Sequence, residues 1–256
     1  MKKRIIAGII LILVIAVIAL LYTVSHLGPL IKNAVNTYGP GMTKTDVRLS
    51  DVNVSLLSGR ASIQNLFIGN PPGFKSREAL SVNSVYVDVD EKSLIGSTII
   101  IDRIEVISPR ITYETRGSTD NFKTILNNIR SAARSGTTAG TAQAKKKPGK
   151  KVLIKDLIIR DGKVTVASTL AGGGRITVSL PDTHLINVGG EGKGVTPAEA
   201  FAAIVTDLYA GITSPSVLGG IDSQLKQAGT GIGSAGRNIQ EGVNSATGAL
   251  KGVLGN

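Results

Sequence analysis

The chain of 256 residues contains no cysteine, which excludes disulfides, thiol nucleophiles and thiolate-bound metal or iron–sulfur clusters. Its two histidines are too few for a His-built metal centre. Tryptophan is absent, and five tyrosines with four phenylalanines supply little of the stacking surface that single-stranded nucleic acid needs. Acidic residues are also scarce: 18 Asp and Glu face 29 Lys and Arg, for a net charge of +11 and a pI near 9.9. Only 18% of residues are charged, however, and mean hydropathy is +0.19, so the chain is basic without being charge-dense. Its length allows one domain with appendages rather than a many-domain machine.

Catalytic patterns are missing too. Gly189-Gly190-Glu191-Gly192-Lys193-Gly194 lacks the spacing of a phosphate loop and has no Ser or Thr after its lysine, so it reads as a loop. Asp88, Asp90 and Glu91 read as a solvated strand face, and His26 and His184 stand alone without a serine–carboxylate partnership. The expectation is a protein that is not an enzyme and binds no cofactor, metal or nucleic acid.

What is present begins with a membrane signal. Three cations in residues 1–4 precede an apolar run that holds no charge from Ile5 to Leu21 and extends through Tyr22 to Val24. A helix over residues 5–24 spans roughly 30 Å at about 1.5 Å per residue, one hydrocarbon core. With the cations before the run, the N-terminus is expected in the cytoplasm and the bulk of the chain outside, on a single-pass anchor. Cleavage after Thr23-Val24-Ser25 is the rival, and under it too the remainder is exported.

From Asp46 to Leu180 apolar and polar residues alternate, with β-branched types dominant, the period of strands with one apolar face. Ile99–Thr115 overlies Val152–Ser168 without a gap: Ile99, Ile101, Ile104, Val106, Ile111 and Tyr113 fall on Val152, Ile154, Leu157, Ile159, Val164 and Val166. Ser108-Pro109 overlies Asp161-Gly162, which suggests a repeated hairpin, and the doubled polar pair within each copy suggests a β-bulge. A looser third copy covers Val47–Ile63. Gly172-Gly173-Gly174 reads as a further hairpin turn. Two short helices are expected: one after Asp120, from the spacing of Phe122, Ile125, Leu126 and Ile129, and one over residues 196–211, opened by the capping box Thr196-Pro197-Ala198-Glu199.

These signals divide the exported part into a first β portion with a helix (46–130), a flexible lysine-rich loop (131–151), a second β portion (152–195), the capped helix (196–211) and a Gly-rich tail (217–256). Lys145, Lys146, Lys147, Lys150 and Lys151 are candidates for contact with anionic lipid headgroups. Along the tail, Ile221, Leu225, Ala228, Ile232 and Ala235, then Ile239, Val243, Ala246, Leu250 and Val253, form a narrow stripe. Its many glycines disfavour a free helix, so a surface or protein partner is needed to order it, and disorder is the alternative.

The run Ile63-Gln64-Asn65-Leu66-Phe67-Ile68-Gly69-Asn70-Pro71-Pro72-Gly73-Phe74, followed by Leu80–Asp90, Ser93-Leu94, Ile104–Tyr113 and Asp120-Asn121-Phe122, resembles the N-terminal part of AsmA-like proteins in motif content and order. Lys155–Val166 and the apolar run at the N-terminus also resemble that family. The resemblance implies a short inner-membrane, single-pass envelope protein of a diderm bacterium, carrying a β-sheet rolled into a groove and acting in phospholipid traffic or outer-membrane homeostasis. At about 4.8 Å per strand, some ten strands reach only about 50 Å, short for a bridge between two membranes.

The expected architecture is therefore mainly β: a transmembrane helix, then a curved antiparallel sheet of hairpin repeats with two short helices and an amphipathic tail. Val85, Val87, Ile99, Ile101, Ile154 and Ile159 are expected to line its apolar face. The expected function is the binding or handling of phospholipid acyl chains by that face, which requires it to be hollow. If it is filled, the chain would be a structural adaptor that recruits an envelope protein through residues 217–256.

Overall fold

The computed structural model describes residues 27–55, 58–134, 149–167, 175–190 and 192–227. The expected anchor over 5–24, most of the lysine-rich loop, the Gly172–Gly174 turn, His26 and the tail beyond residue 227 lie outside them. Among the described residues, no single helix is long and apolar enough to cross a membrane.

Among the described residues eleven strands hydrogen-bond into one mixed sheet. They are β1 (Val47–Arg48), β2 (Asp51–Ser55), β3 (Arg60–Gly69), β4 (Glu78–Val89), β5 (Thr98–Ile107), β6 (Arg110–Arg116), β7 (Thr119–Asp120), β8 (Lys151–Arg160), β9 (Lys163–Ala167), β10 (Arg175–Ser179) and β11 (Thr183–Val188). The registers show that several of these are halves of one longer strand. β5 and β6 both run antiparallel to β4 in a single register, with Ser84 opposite Ile107 and Leu80 opposite Ile111. β8 and β9 lie parallel to β5 and β6 with one constant offset, Ile99 beside Val152 and Tyr113 beside Val166. β10 and β11 return antiparallel along β9 and β8, and β1 and β2 run together along β3. The sheet thus has six long strands in chain order, plus the small β7.

Two expectations are corrected here. The sheet is mixed rather than antiparallel, and the two copies of the repeat are not hairpins. Each copy is one continuous strand, and the copies lie side by side in parallel, every residue beside its own equivalent. Between them the chain leaves β6 through β7 and a helix, and a crossover of that kind is what allows two successive strands to run parallel. The third copy, β2 to β3, is a true antiparallel hairpin and joins no parallel stack.

The expected turn between the halves is a crease. Ser108 and Asp161, equivalent in the two copies, adopt φ of 52° and 56°, yet the ladder continues through them: Ser108 N–H donates to Arg160 O at 2.9 Å and Lys163 N–H to Pro109 O at 2.9 Å. The flanking registers place Ser50, Asn65, Asn83, Ser108, Asp161 and Pro181 on one line across all six strands. Asn65, at φ 50°, shares the left-handed backbone. Short polar side chains bear that conformation better than the β-branched residues around them. The bulge expected in each copy is present only in the first: the β4–β5 register breaks between Asp88 and Val89, opposite Asp102, whereas β8 and β11 keep one register past Lys155-Asp156.

Among the described residues four α-helices accompany the sheet: α1 over 27–43, α2 (Asn121–Arg134), α3 (Pro197–Ile212) and α4 (Pro215–Gln227). α2 and α3 match the expected pair, and the Thr196–Glu199 capping box forms as read. α1 was not foreseen. Glycine disfavours a helix interior, but Gly28 and Gly39 are both needed for close approach to the edge strand. A Cβ would stand 2.0 Å from Val52 O at Gly28 and 2.7 Å from Val47 Cγ1 at Gly39. Asn36 completes the contact, donating to Leu49 O at 3.3 Å and accepting Leu49 N–H at 2.8 Å, so a side-chain amide satisfies an exposed edge. At the opposite edge, Gln224 on α4 donates to Thr177 O of β10 at 2.8 Å.

The main core lies between one face of the sheet and the helices. Ile111, Ile154, Leu157, Ile159, Val164 and Val166 pack with Phe122, Ile125 and Ile129 of α2, Val205, Leu208 and Ile212 of α3, and Val217 and Ile221 of α4.

Candidate functional site

The sheet brings the six expected lining residues together on adjoining rows. Val85 lies beside Val106, which lies beside Ile159; Val87 and Ile104 form the next row, and Ile101 lies beside Ile154 and Ile99 beside Val152. Their surroundings differ. Ile154 and Ile159 are 2% and 3% exposed within the helix-covered core, and Ile101 packs against it while half-buried. Val85 is buried outside that cluster, and Val87 and Ile99 are half-buried. A small cavity of about 10 Å³ beside this core is lined by Tyr113, Val164, Val166, Ile212, Leu218 and Ile221. That is room for about one water, far below an acyl chain.

The opposite face is a charge ladder. Lys155 meets Asp102 at 2.6 Å, Arg103 meets Asp156 at 3.1 Å, Arg160 pairs with Glu105, and Arg60 lies 3.6 Å from Asp88. In the parallel pair Asp102 and Glu105 of one copy thus pair with Lys155 and Arg160 of the other, and Arg103 with Asp156. His184, expected to be solitary, pairs with Asp156. Asp90 accepts Lys92 N–H at 2.9 Å and opens the short 3-10 helix Glu91–Ile95. Of the lysine cluster, Lys145, Lys146 and Lys147 lie outside the described residues. Lys150 donates to Leu94 O, and Lys151 sits exposed at the start of β8, beside Thr98.

The sequence reading missed a buried polar knot at the end of β6. Asn121, fully buried, uses its whole amide: Nδ2 donates to Asn70 Oδ1 at 2.6 Å and Thr112 O at 2.7 Å, and Oδ1 accepts the N–H groups of Glu114 and Phe122, each at 3.1 Å. Glu114, 5% exposed, accepts Lys75 N–H at 2.6 Å and Ser76 N–H at 2.8 Å. Asn70 Nδ2 donates to Ser76 O at 2.9 Å, which closes the 70–78 loop on itself. The signal was available: Asn70 and the pair Asp120-Asn121 are among the polar members of the motifs that carry the AsmA-like resemblance.

Asp120 is the charged end of the knot. One carboxylate oxygen accepts Lys123 N–H at 2.7 Å in the first turn of α2, and the other accepts the Tyr209 hydroxyl of α3 at 2.7 Å. Burial pushes the Asp120 carboxyl above the usual carboxylate range against these hydrogen bonds. Burial, then the nearby Asp120 charge, raises both Tyr113 and Tyr209 well above the ordinary phenol value. The buried Tyr113 hydroxyl makes no well-formed hydrogen bond.

Chemically the knot binds structure rather than substrate. Its carboxylates are spent on backbone N–H groups and a tyrosine of the same chain, and it is closed to solvent. Among the described residues no three His, Asp or Glu side chains are grouped to hold a metal ion. No family model and no curated protein matches the chain.

Proposed function

We propose that the chain is a membrane-tethered, non-enzymatic adaptor of the bacterial cell envelope. The observation that carries this reading is the covering of part of the apolar face: α2, α3 and α4 pack over β6, β8, β10 and β11 and bury Ile154 and Ile159, and the cavity beside them has room for about one water. Single-pass anchoring rests on the apolar run 5–24, and an inner-membrane, periplasm-facing placement on that run together with the AsmA-like resemblance. The part left for recruitment is the stretch beyond α4, with its apolar stripe from Ala228 to Val253.

Phospholipid handling is the second reading. It is favoured by the half-buried Val87 and Ile99 and by Ile95, 94% exposed, near the start of β5. A chain truncated after residue 227 separates the two. Loss of a stoichiometric protein partner, with no change in co-purifying phospholipid by mass spectrometry, supports the adaptor. A bound phospholipid retained by the truncated chain, with no partner lost, overturns it in favour of lipid handling.

A further inference from the structure

We infer that the outward side of α1 is a membrane-contacting surface seated on the bilayer that receives the 5–24 run, an inference that rests on reading that run as an anchor. One side of α1 is spent on the protein: Val35 and Met42 pack against the core, and Gly28, Asn36 and Gly39 meet the edge strand. The other side carries Leu27, Leu30, Ile31, Ala34 and Tyr38, an i, i+3, i+4, i+7, i+11 stripe. Leu30 is 62% exposed, Ile31 38% and Tyr38 42%; these are three of the six exposed large hydrophobics among the described residues, gathered on one helix. The stripe runs about 16 Å along the helix at about 1.5 Å per residue.

Chain length determines what covers it. Only Ser25 and His26 separate Val24 from α1, and two extended residues reach about 7 Å. With the apolar run in the bilayer, the first turn of α1 therefore stands at the membrane surface. Charge agrees: residues 27–43 contain no Asp or Glu, and Lys32 is their one charged residue, so nothing on α1 repels anionic headgroups. Tyr38 brings an apolar ring with a polar tip, suited to the interface. The helix lies along the membrane as an amphipathic element, fixing how the sheet edge beside it faces the bilayer.

The absence of native tryptophan makes the test direct. The full chain is reconstituted in vesicles of zwitterionic and anionic phospholipids with brominated acyl chains, carrying one tryptophan at a time: Ile31→Trp or Tyr38→Trp on the stripe, or Asn33→Trp on the exposed polar flank. Stripe tryptophans are expected to be quenched at least about twofold more than the flank one, as for a helix buried on one side. Equal quenching in a chain that floats with the vesicles overturns the inference and leaves the anchor standing. A chain stripped from the vesicles by alkaline wash overturns the anchor and the inference together. An Ala34→Cys chain that forms disulfide-linked dimers while the stripe tryptophans stay unquenched gives the surface to a second copy instead.

Discussion

At the scale of single residues, the structure concentrates its compromises in two places: the knot at the end of β6 and the crease across the sheet. Asp120 shows the first. Its carboxyl is held above the ordinary value of about 3.9, so the folded chain binds this proton more readily than the unfolded chain does. Its stabilising contribution is complete below the unfolded value and is lost as pH rises through the raised one. Asp120→Asn keeps a side-chain oxygen for Lys123 N–H and removes the titration. In urea melts between pH 4 and pH 7, wild type is expected to gain stability relative to Asp120→Asn as pH falls, and a difference that stays flat would show that the carboxyl does not titrate there. Ser108 shows the second compromise. A β-branched residue at φ 52° is strained, so Ser108→Val is expected to lose about 2 kcal/mol of unfolding free energy. Ser108→Gly should stay within about 0.5 kcal/mol, its backbone ease offset by greater freedom when unfolded. The same pair of outcomes is expected at Asp161, and a harmless Ser108→Val would mean that the strands do not crease at this line.

Among the elements, the strands were largely legible and their directions were not. Alternation identifies which residues share a face, and the gapless overlay of Ile99–Thr115 on Val152–Ser168 gave the residue-by-residue correspondence that the sheet realises as neighbours. A period of two is the same in parallel and antiparallel strands, however, and the connection that decides between them passes through α2. α1 was hidden for another reason: propensity counts Gly28, Pro29, Gly39, Pro40 and Gly41 against a helix, whereas packing against β1 and β2 requires small residues at two of those sites. What α1 does for the sheet can be measured through Asn36. Asn36→Ala removes both hydrogen bonds to Leu49 and uncovers an edge, with an expected loss of about 1–2 kcal/mol. Increased light scattering at the transition should accompany it, since uncovered edges pair with one another. An Asn36→Ala chain as stable and as soluble as wild type would show that α1 does not guard that edge.

For the molecule as a whole, the decisive property is what covers the apolar face, and a sequence period reports that a face is apolar without naming its cover. Reading the tail as beginning at residue 217 drew α4 into the appendage. Val217 and Ile221, 1% and 3% exposed, instead belong to the core over β9 and β10. The fold therefore extends at least through α4, and two truncations test where it stops. Ending the chain at residue 214 removes two fully buried apolar side chains at about 1.5–3 kcal/mol each, together with the Gln224 contact at the edge of β10. Set against the 5–15 kcal/mol typical of whole domains, that loss should leave the chain partly unfolded at ambient temperature. Ending it at residue 227 removes none of these contacts and should leave the urea midpoint unchanged. Circular dichroism during urea titration distinguishes the two chains. If both melt together below wild type, residues 228–256 are part of the fold and cannot be the free recruiting arm that an adaptor needs.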